Sequence, residues 1–196
     1  MTADPILVLQ LHRMGDLILT FPLLMRLRQL WPHNPLWVAA EPAFFEQLMP
    51  LAPDVVFFPS SHCGVLAQRS YAAAINLSSS PTAAQTMAQL QSPLKLGPVA
   101  NGTNLHIEGF WQLYRAALTQ NNRANAFHWA DLHLLDLAPK PNLASVGHSR
   151  PAPAGTRRVG LVLGASEAAK RPDAGFWARL ALRLAALNFW AARLRA

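Results

Sequence analysis

Short apolar runs and longer stretches of helical spacing take turns along most of this chain. Ile6–Leu11 is a compact run of β-compatible residues that ends in the polar loop His12–Asp16. From Leu17 to Leu30 the apolar residues recur every three or four positions, with Arg26 and Arg28 on the far side, which predicts a helix. Pro22 interrupts that helix on paper, because proline lacks the amide proton and its ring crowds the preceding turn. Two solutions follow: Asp16 caps a short first turn that kinks at Pro22, or Thr20 caps the main helix with Pro22 in its first turn. Further strands are predicted over Leu36–Ala40, Val55–Pro59, Ala72–Leu77 and Leu94–Leu96, the last closed by Gly97 and Pro98. Helices are predicted over Pro42–Met49, Thr82–Gln91 and His106–Leu118, with Ser61–Arg69 ambiguous and 119–156 mostly irregular or extended.

Strands that alternate with helices predict an α/β fold, a Rossmann-like parallel sheet with helices on both faces and right-handed crossovers. The stretch from Pro139 to Gly155 is rich in Pro, Gly and Ser and reads as a linker. Beyond it the pattern restarts, with a strand over Arg158–Leu163, a loop over Gly164–Asp173 and a helix over Gly175–Leu194. The expected domains are therefore an N-terminal one over 1–138, a linker over 139–156, and the start of a second α/β domain over 157–196. Trp177, Leu180, Leu184, Leu187 and Trp190 lie at helical spacing on that last segment, which suits a core-facing helix or a membrane-surface one.

Composition narrows the class. Hydrophobic residues make up 52% and charged ones 14%, so a packed core is expected and general disorder is not. The single cysteine, Cys63, excludes an internal disulfide and suits a reducing, cytoplasmic setting. The N-terminus lacks a basic stretch before its apolar run, and no apolar run reaches membrane-spanning length, so a soluble protein is expected. The net charge of +7 favours phosphate-bearing ligands or anionic glycolipid surfaces. Basic residues are not interleaved with aromatic ones, so nucleic acid ranks last among these partners.

Two loops carry the candidate chemistry. In an open parallel sheet the ligand sits beyond the carboxyl ends of the strands, and the loop His12-Arg13-Met14-Gly15-Asp16 falls there. Gly15 permits close backbone approach, and Asp16 could accept a proton from an attacking hydroxyl. Asp16 could equally be a helix cap, and spacing does not separate the two. One glycine is too few for the G-x-G-x-x-G of a dinucleotide site. The second loop, Gly164–Pro172, offers small residues, the Ser166 hydroxyl and the Lys170 charge to a phosphate, or it is simply solvated. His128, Asp131, His133 and Asp136 match no closed zinc pattern, so no metal site is expected. Ser78–Ser80 could touch a ligand or merely form a turn, and Cys63 reads as an inert thiol.

Taken together, ILVLQLHRMGDLILTFPLLMRLRQLWP, the middle stretch NLHIEGFWQLYRAAL and the later RRVGLVLGASEAAKRPDAGFWARLA resemble glycosyltransferase family 9, the ADP-heptose:lipopolysaccharide heptosyltransferases. The resemblance implies a GT-B fold with an N-terminal acceptor domain and a C-terminal donor domain. It implies an inverting transfer of a heptose or related sugar, with a nucleotide-sugar, ADP-heptose, as donor substrate and no cofactor or obligatory metal. A lipid A–core or related glycan is the implied acceptor, in the cytoplasm, with room for peripheral contact at the inner face of the membrane. Asp16 matches the family's base, while Lys170 and Ser166 match the groups that meet donor phosphates. Arg13, Gly15 and His106 fall on the acceptor side. The family's late D-T-G-x-x-H motif has no counterpart in the 196 residues, so the comparison implies a chain cut within the donor domain and inactive alone. A non-catalytic nucleotide- or sugar-binding Rossmann-like fragment is the alternative.

Overall fold

A computed structural model describes residues 3–119, 122–137, 158–162, 171–186 and 190–194. The chain divides into two compact units, Met1–Gly147 and His148–Ala196. In the first, strands β1 (Ile6–Leu9), β2 (Leu36–Ala40), β3 (Val56–Pro59), β4 (Ala73–Asn76), β5 (Lys95–Asn101) and β6 (Asn104–Glu108) form one sheet in the order β3-β2-β1-β4-β5-β6. The first five are parallel; β6 returns antiparallel to β5. The helices are α1 (Met14–Leu30), α2 (Pro42–Leu48), α3 (Cys63–Leu66), α4 (Pro81–Gln89), α5 (Phe110–Ala117) and α6 (Trp129–Leu132).

The apolar runs become central strands because both of their faces are covered. Alternation of side chains along β1 sends Ile6 and Val8 into one core with Leu17, Leu24 and Leu27 of α1 and Phe45 of α2. Leu7 and Leu9 enter a second core with Cys63, Leu66, Ala83 and Met87 on the opposite face. Strand order reverses between β1 and β4, both of which are buried throughout. A doubly wound sheet binds ligands at such a switch point.

Four sequence expectations are corrected in the first unit. Pro22 neither breaks α1 nor falls in its first turn; one 17-residue helix runs through it, starting at Met14 with Arg13 as N-cap. Proline removes one ladder bond, and the burial of Leu17, Phe21, Leu23, Leu24 and Leu27 outweighs that loss. Gly97 and Pro98 do not end β5. Pairing with β4 stops at Leu96, and the strand continues to Asn101 as a hairpin with β6, so the missing Pro98 amide falls where no β4 partner is present. Residues 106–108 belong to β6 and not to the following helix; Gly109, at φ +92°, separates the two. The described residues from 122 to 137 are largely helical turns, including α6.

In the second unit, β7 (Arg158–Val162), α7 (Ala174–Ala186) and β8 (Trp190–Leu194) form a βαβ unit. The Asp173 carboxylate accepts the Phe176 amide at 2.7 Å and caps α7. The helix ends at Ala186, and residues 190–194 pair in parallel with β7, from Arg158 opposite Trp190 to Val162 opposite Leu194. Trp190 therefore does not extend the stripe of Trp177, Leu180 and Leu184, which are half-buried on α7. No helix among the described residues is long and apolar enough to cross a membrane.

Candidate active site

At the switch point a cleft of about 300 Å³ opens beyond the ends of β1 and β4. Its walls include Gln10, His12 and Asp16 from the β1–α1 region, Leu77 and Ser79 after β4, and Arg115 from α5. Pro98 of β5 and Trp129 of α6 add apolar surface.

Asp16 is half-buried in the first turn of α1, at the position where a carboxylate can reach back to the cap. Its Oδ2 accepts the Arg13 amide at 3.3 Å. No donor to Oδ1 is found among the described residues. The backbone beneath it is tied down. Thr20 Oγ1 donates to the Asp16 carbonyl at 2.9 Å, and the buried Gln10 amide donates to Thr20 Oγ1 at 3.3 Å. Asp16 is thus not the helix cap, which is Arg13; it is the first-turn carboxylate that reaches back to the cap amide, and the same side chain lies on the cleft wall.

His12 joins the two sides of the switch point. The Ser79 amide donates to its Nε2 at 3.0 Å, which requires that nitrogen to be unprotonated. Burial pushes the His12 pKa down from 6.5; Asp16 opposes this, while Arg115 and Arg13 add to it. The ring is therefore neutral at pH 7 with its proton on Nδ1. Ser78 and Ser80 take the turn role: Ser78 N donates to Asn76 Oδ1 at 2.8 Å and Ser80 N to Ser78 Oγ at 3.1 Å.

Arg115 is the residue that sequence reasoning missed. Its Nη1 donates to the Leu77 carbonyl at 3.0 Å and its Nε to Gln112 Oε1 at 3.1 Å. Gln112 Nε2 in turn donates to Asp136 Oδ2 at 3.2 Å, and Asp136 also accepts the Trp111 and Gln112 amides at 3.1 Å each. Burial lowers the Arg115 pKa to about 10, with Asp16 pulling the other way, so the guanidinium remains charged at neutral pH. A lone arginine between apolar positions of a helix was the available signal. Its direction depends on where α5 lies over the sheet, which no spacing rule supplies.

The other expected site residues are dispersed. Arg13 is exposed at the helix start, and Gly15 is exposed with open space where a Cβ would stand. His106 lies on edge strand β6, paired with Glu108 at 3.1 Å, and does not line the cleft. Ser166 and Lys170 lie outside the described residues. His128 accepts the Ala130 amide at 3.2 Å, His133 is buried against the Leu19 carbonyl at 3.3 Å, and Asp136 serves α5. No three His, Cys, Asp or Glu side chains come together among the described residues to hold a metal.

No family sequence model and no curated protein matches the chain. Solved structures do. The crystal structure of the glycosyl transferase family 9 from Veillonella parvula DSM 2008 superimposes with a TM-score of 0.66 at 17% identity, over 97% of this chain and 62% of that one. The E. coli heptosyltransferase WaaC with ADP-2-deoxy-2-fluoro heptose gives 0.67 at 18% identity, over 98% of this chain and 69% of that one. The same enzyme with ADP gives 0.64 at 17% identity, over 98% and 67%. The fold is accordingly α/β and Rossmann-like, of the GT-B glycosyltransferase type. More narrowly, it is the fold of these family 9 and heptosyltransferase structures, and the chain spans 62–69% of the length of the three.

Proposed function

We propose that this protein is an inverting glycosyltransferase of the family 9 kind. It moves a heptose or related sugar from a nucleotide-sugar, ADP-heptose, to a lipopolysaccharide core or similar glycan. The observation that carries this reading is the half-buried Asp16 carboxylate on the wall of the switch-point cleft, with its backbone fixed by Thr20 and Gln10.

In the proposed reaction an acceptor hydroxyl in the cleft gives its proton to Asp16 as its oxygen attacks the anomeric carbon of the donor. The bond from that carbon to the diphosphate breaks on the opposite side, the electron pair leaves with the diphosphate, and the configuration inverts. Ser166 and Lys170 are assigned to the donor phosphates on the sequence motif, with Lys170 countering the charge that develops on the leaving group. Arg13 and Gly15 flank Asp16 at the acceptor side, and His106 is kept there by the motif alone. The reading needs no cofactor and no nucleic-acid partner. It places the protein in the cytoplasm, with peripheral contact at the inner membrane face where a lipid-linked acceptor would be presented. We expect turnover by the 196-residue chain itself to be weak or absent.

The test is sugar transfer by this chain and by any longer protein that carries it. Asp16→Asn should lower transfer by about 100-fold or more, the usual worth of a general base, and leave nucleotide-sugar affinity within about twofold. Unchanged turnover removes Asp16 from the mechanism. Lys170→Ala should weaken donor binding. Tight sugar or nucleotide binding with no turnover in every form would favour a non-catalytic binding protein.

A further inference from the structure

The six-stranded sheet ends on one side in β6, and this edge is open. Its register with β5 runs residue for residue, from Asn104 opposite Asn101 to Glu108 opposite Gly97, with no bulge. β6 carries neither proline nor lysine, two residues that commonly blunt an edge. The opposite edge strand, β3, ends in Pro59. Four of the five β6 residues are exposed, Leu105 among them.

Pro98 determines which backbone groups of β6 face outward. It has no N–H, and its carbonyl accepts from Asn76 Nδ2 at 2.8 Å on the β4 side, so Pro98 and Ile107 form a non-hydrogen-bonded pair. Such pairs alternate with bonded ones, which makes Ala100 and Leu105 another. The N–H and C=O groups of Leu105 and Ile107 therefore point out of the sheet edge, and no described residue bonds to them. A row of unpaired backbone groups is a template for a further strand.

The sequence of β6 suits a second copy of itself. In an antiparallel pairing centred on His106, all five residues are matched. Leu105 meets the partner's Ile107, and Ile107 meets the partner's Leu105, which satisfies all four outward groups. On the other face Asn104 lies opposite the partner's Glu108, so each carboxylate faces a neutral amide, and each His106 retains its own Glu108 at 3.1 Å. Leu105 and Ile107 share a face with Pro98, which lines the cleft together with Arg115, so α5 lies on that side. Its residues Phe110 and Leu113, one turn apart, are 71% and 55% exposed. A two-fold axis through the His106 pair places both α5 helices on one side of the joined sheet, with this apolar surface beside the joined strands.

We propose that β6 is the pairing edge of a two-fold dimer, in which a second copy of this chain adds its own β6 antiparallel with His106 at the centre. The proposal is independent of the reaction above, and it gives His106, which does not line the cleft, a place in an interface.

The test is sedimentation equilibrium of the 196-residue chain over a concentration series, with thiol cross-linking to read the register. The native chain should reach twice its 21.5 kDa mass and stop there, because an isologous contact closes at two copies. Leu105→Lys should weaken association by about tenfold or more, since it puts a charge into the pairing edge. Val56→Lys, at an equally exposed position on β3, should leave association within about twofold. In the proposed register position 106 faces its own copy, whereas position 104 does not. With oxidised glutathione, His106→Cys should therefore form a disulfide-linked dimer about tenfold faster than Asn104→Cys, or more. The native Cys63 is buried and does not compete. The proposal is overturned if the native chain stays monomeric up to about 1 mM, or if species larger than a dimer predominate. It is equally overturned if folded Leu105→Lys associates as tightly as the native chain, if Val56→Lys weakens association as much, or if the two cysteine variants cross-link at equal rates. Should Leu105→Lys not fold, the cysteine pair still decides.

Discussion

At the scale of single residues, two glycines show how the same substitution can meet different obstacles. Gly97 has φ +94°, and a Cβ built there would collide with the backbone carbonyl of Asn76. Asn76 is itself buried at the end of β4 and held by its side-chain amide, which donates to the Pro98 carbonyl at 2.8 Å. Gly97→Ala should therefore cost about 3 kcal/mol or more, combining backbone strain with a clash that neither strand can relieve. Gly102 has φ +60° but open space around it, so Gly102→Ala should cost about 1–2 kcal/mol for the left-handed conformation alone. Chemical denaturation of the two variants checks this; equal losses would contradict the role assigned to Asn76. Asp16 illustrates a residue with two positions to satisfy. One of its oxygens meets the start of α1 at 3.3 Å, and the same side chain lines the cleft.

At the scale of elements, α5 governs the site. Its N-cap is Gly109, which has no side chain to satisfy the first amides, and Asp136 does so from 25 residues away. Asp136→Ala leaves the Trp111 and Gln112 amides and the Gln112 side chain without that acceptor, and should cost about 2 kcal/mol or more. Asp136→Asn keeps one acceptor oxygen and should lose about half as much. A thermal unfolding series reads both. If Asp136 anchors α5 as described, amide exchange in α5 should be faster in Asp136→Ala than in the native chain. Unchanged protection of α5 in a clearly destabilised Asp136→Ala would show that the anchor lies elsewhere. Pro22 makes the complementary point. A helix can run through a proline when its apolar face is buried on a sheet, because packing contributes more than the one missing bond.

For the molecule as a whole, the buried His133 and the half-buried His12 set the acid side of stability. Burial pushes the His133 pKa down to about 3, with nearby Arg115 adding to the shift. His12 is lowered for the same first reason. Each is neutral in the fold and takes up a proton more readily once unfolded. Stability is therefore full above about pH 6.5 and falls as the pH drops from there toward 3. His133→Leu should flatten that slope, measured as urea midpoints between pH 7 and 4; an unchanged slope would assign the acid sensitivity to other groups. The cleft is likewise a property of the whole sheet. Its walls come from residues 10 to 129, and the reversal of strand order between β1 and β4 brings them together.

The sequence by itself determined the alternation of strands and helices and the position of Asp16 after the first strand. These depend on local quantities: apolar runs, helical spacing and polar loops. It determined neither β6 nor β8. Asn104–Glu108 and Trp190–Leu194 become strands because β5 and β7 offer edges to pair with, and that pairing overrides the helical spacing read over His106–Leu118 and Gly175–Leu194. His106 followed the same error, since it was read into a helix whose start is fixed by Gly109. The sequence offered the His12–Asp16 loop and Ser78–Ser80 as separate candidates; only the tertiary structure decided that His12, Asp16 and Ser79 share one cleft and that Arg115 faces it too. They are far apart in the chain, and their meeting depends on strand order and on the anchoring of α5 by Asp136. The base candidate could be read locally because its position is local. The charge across from it could not, because only long-range packing places it there.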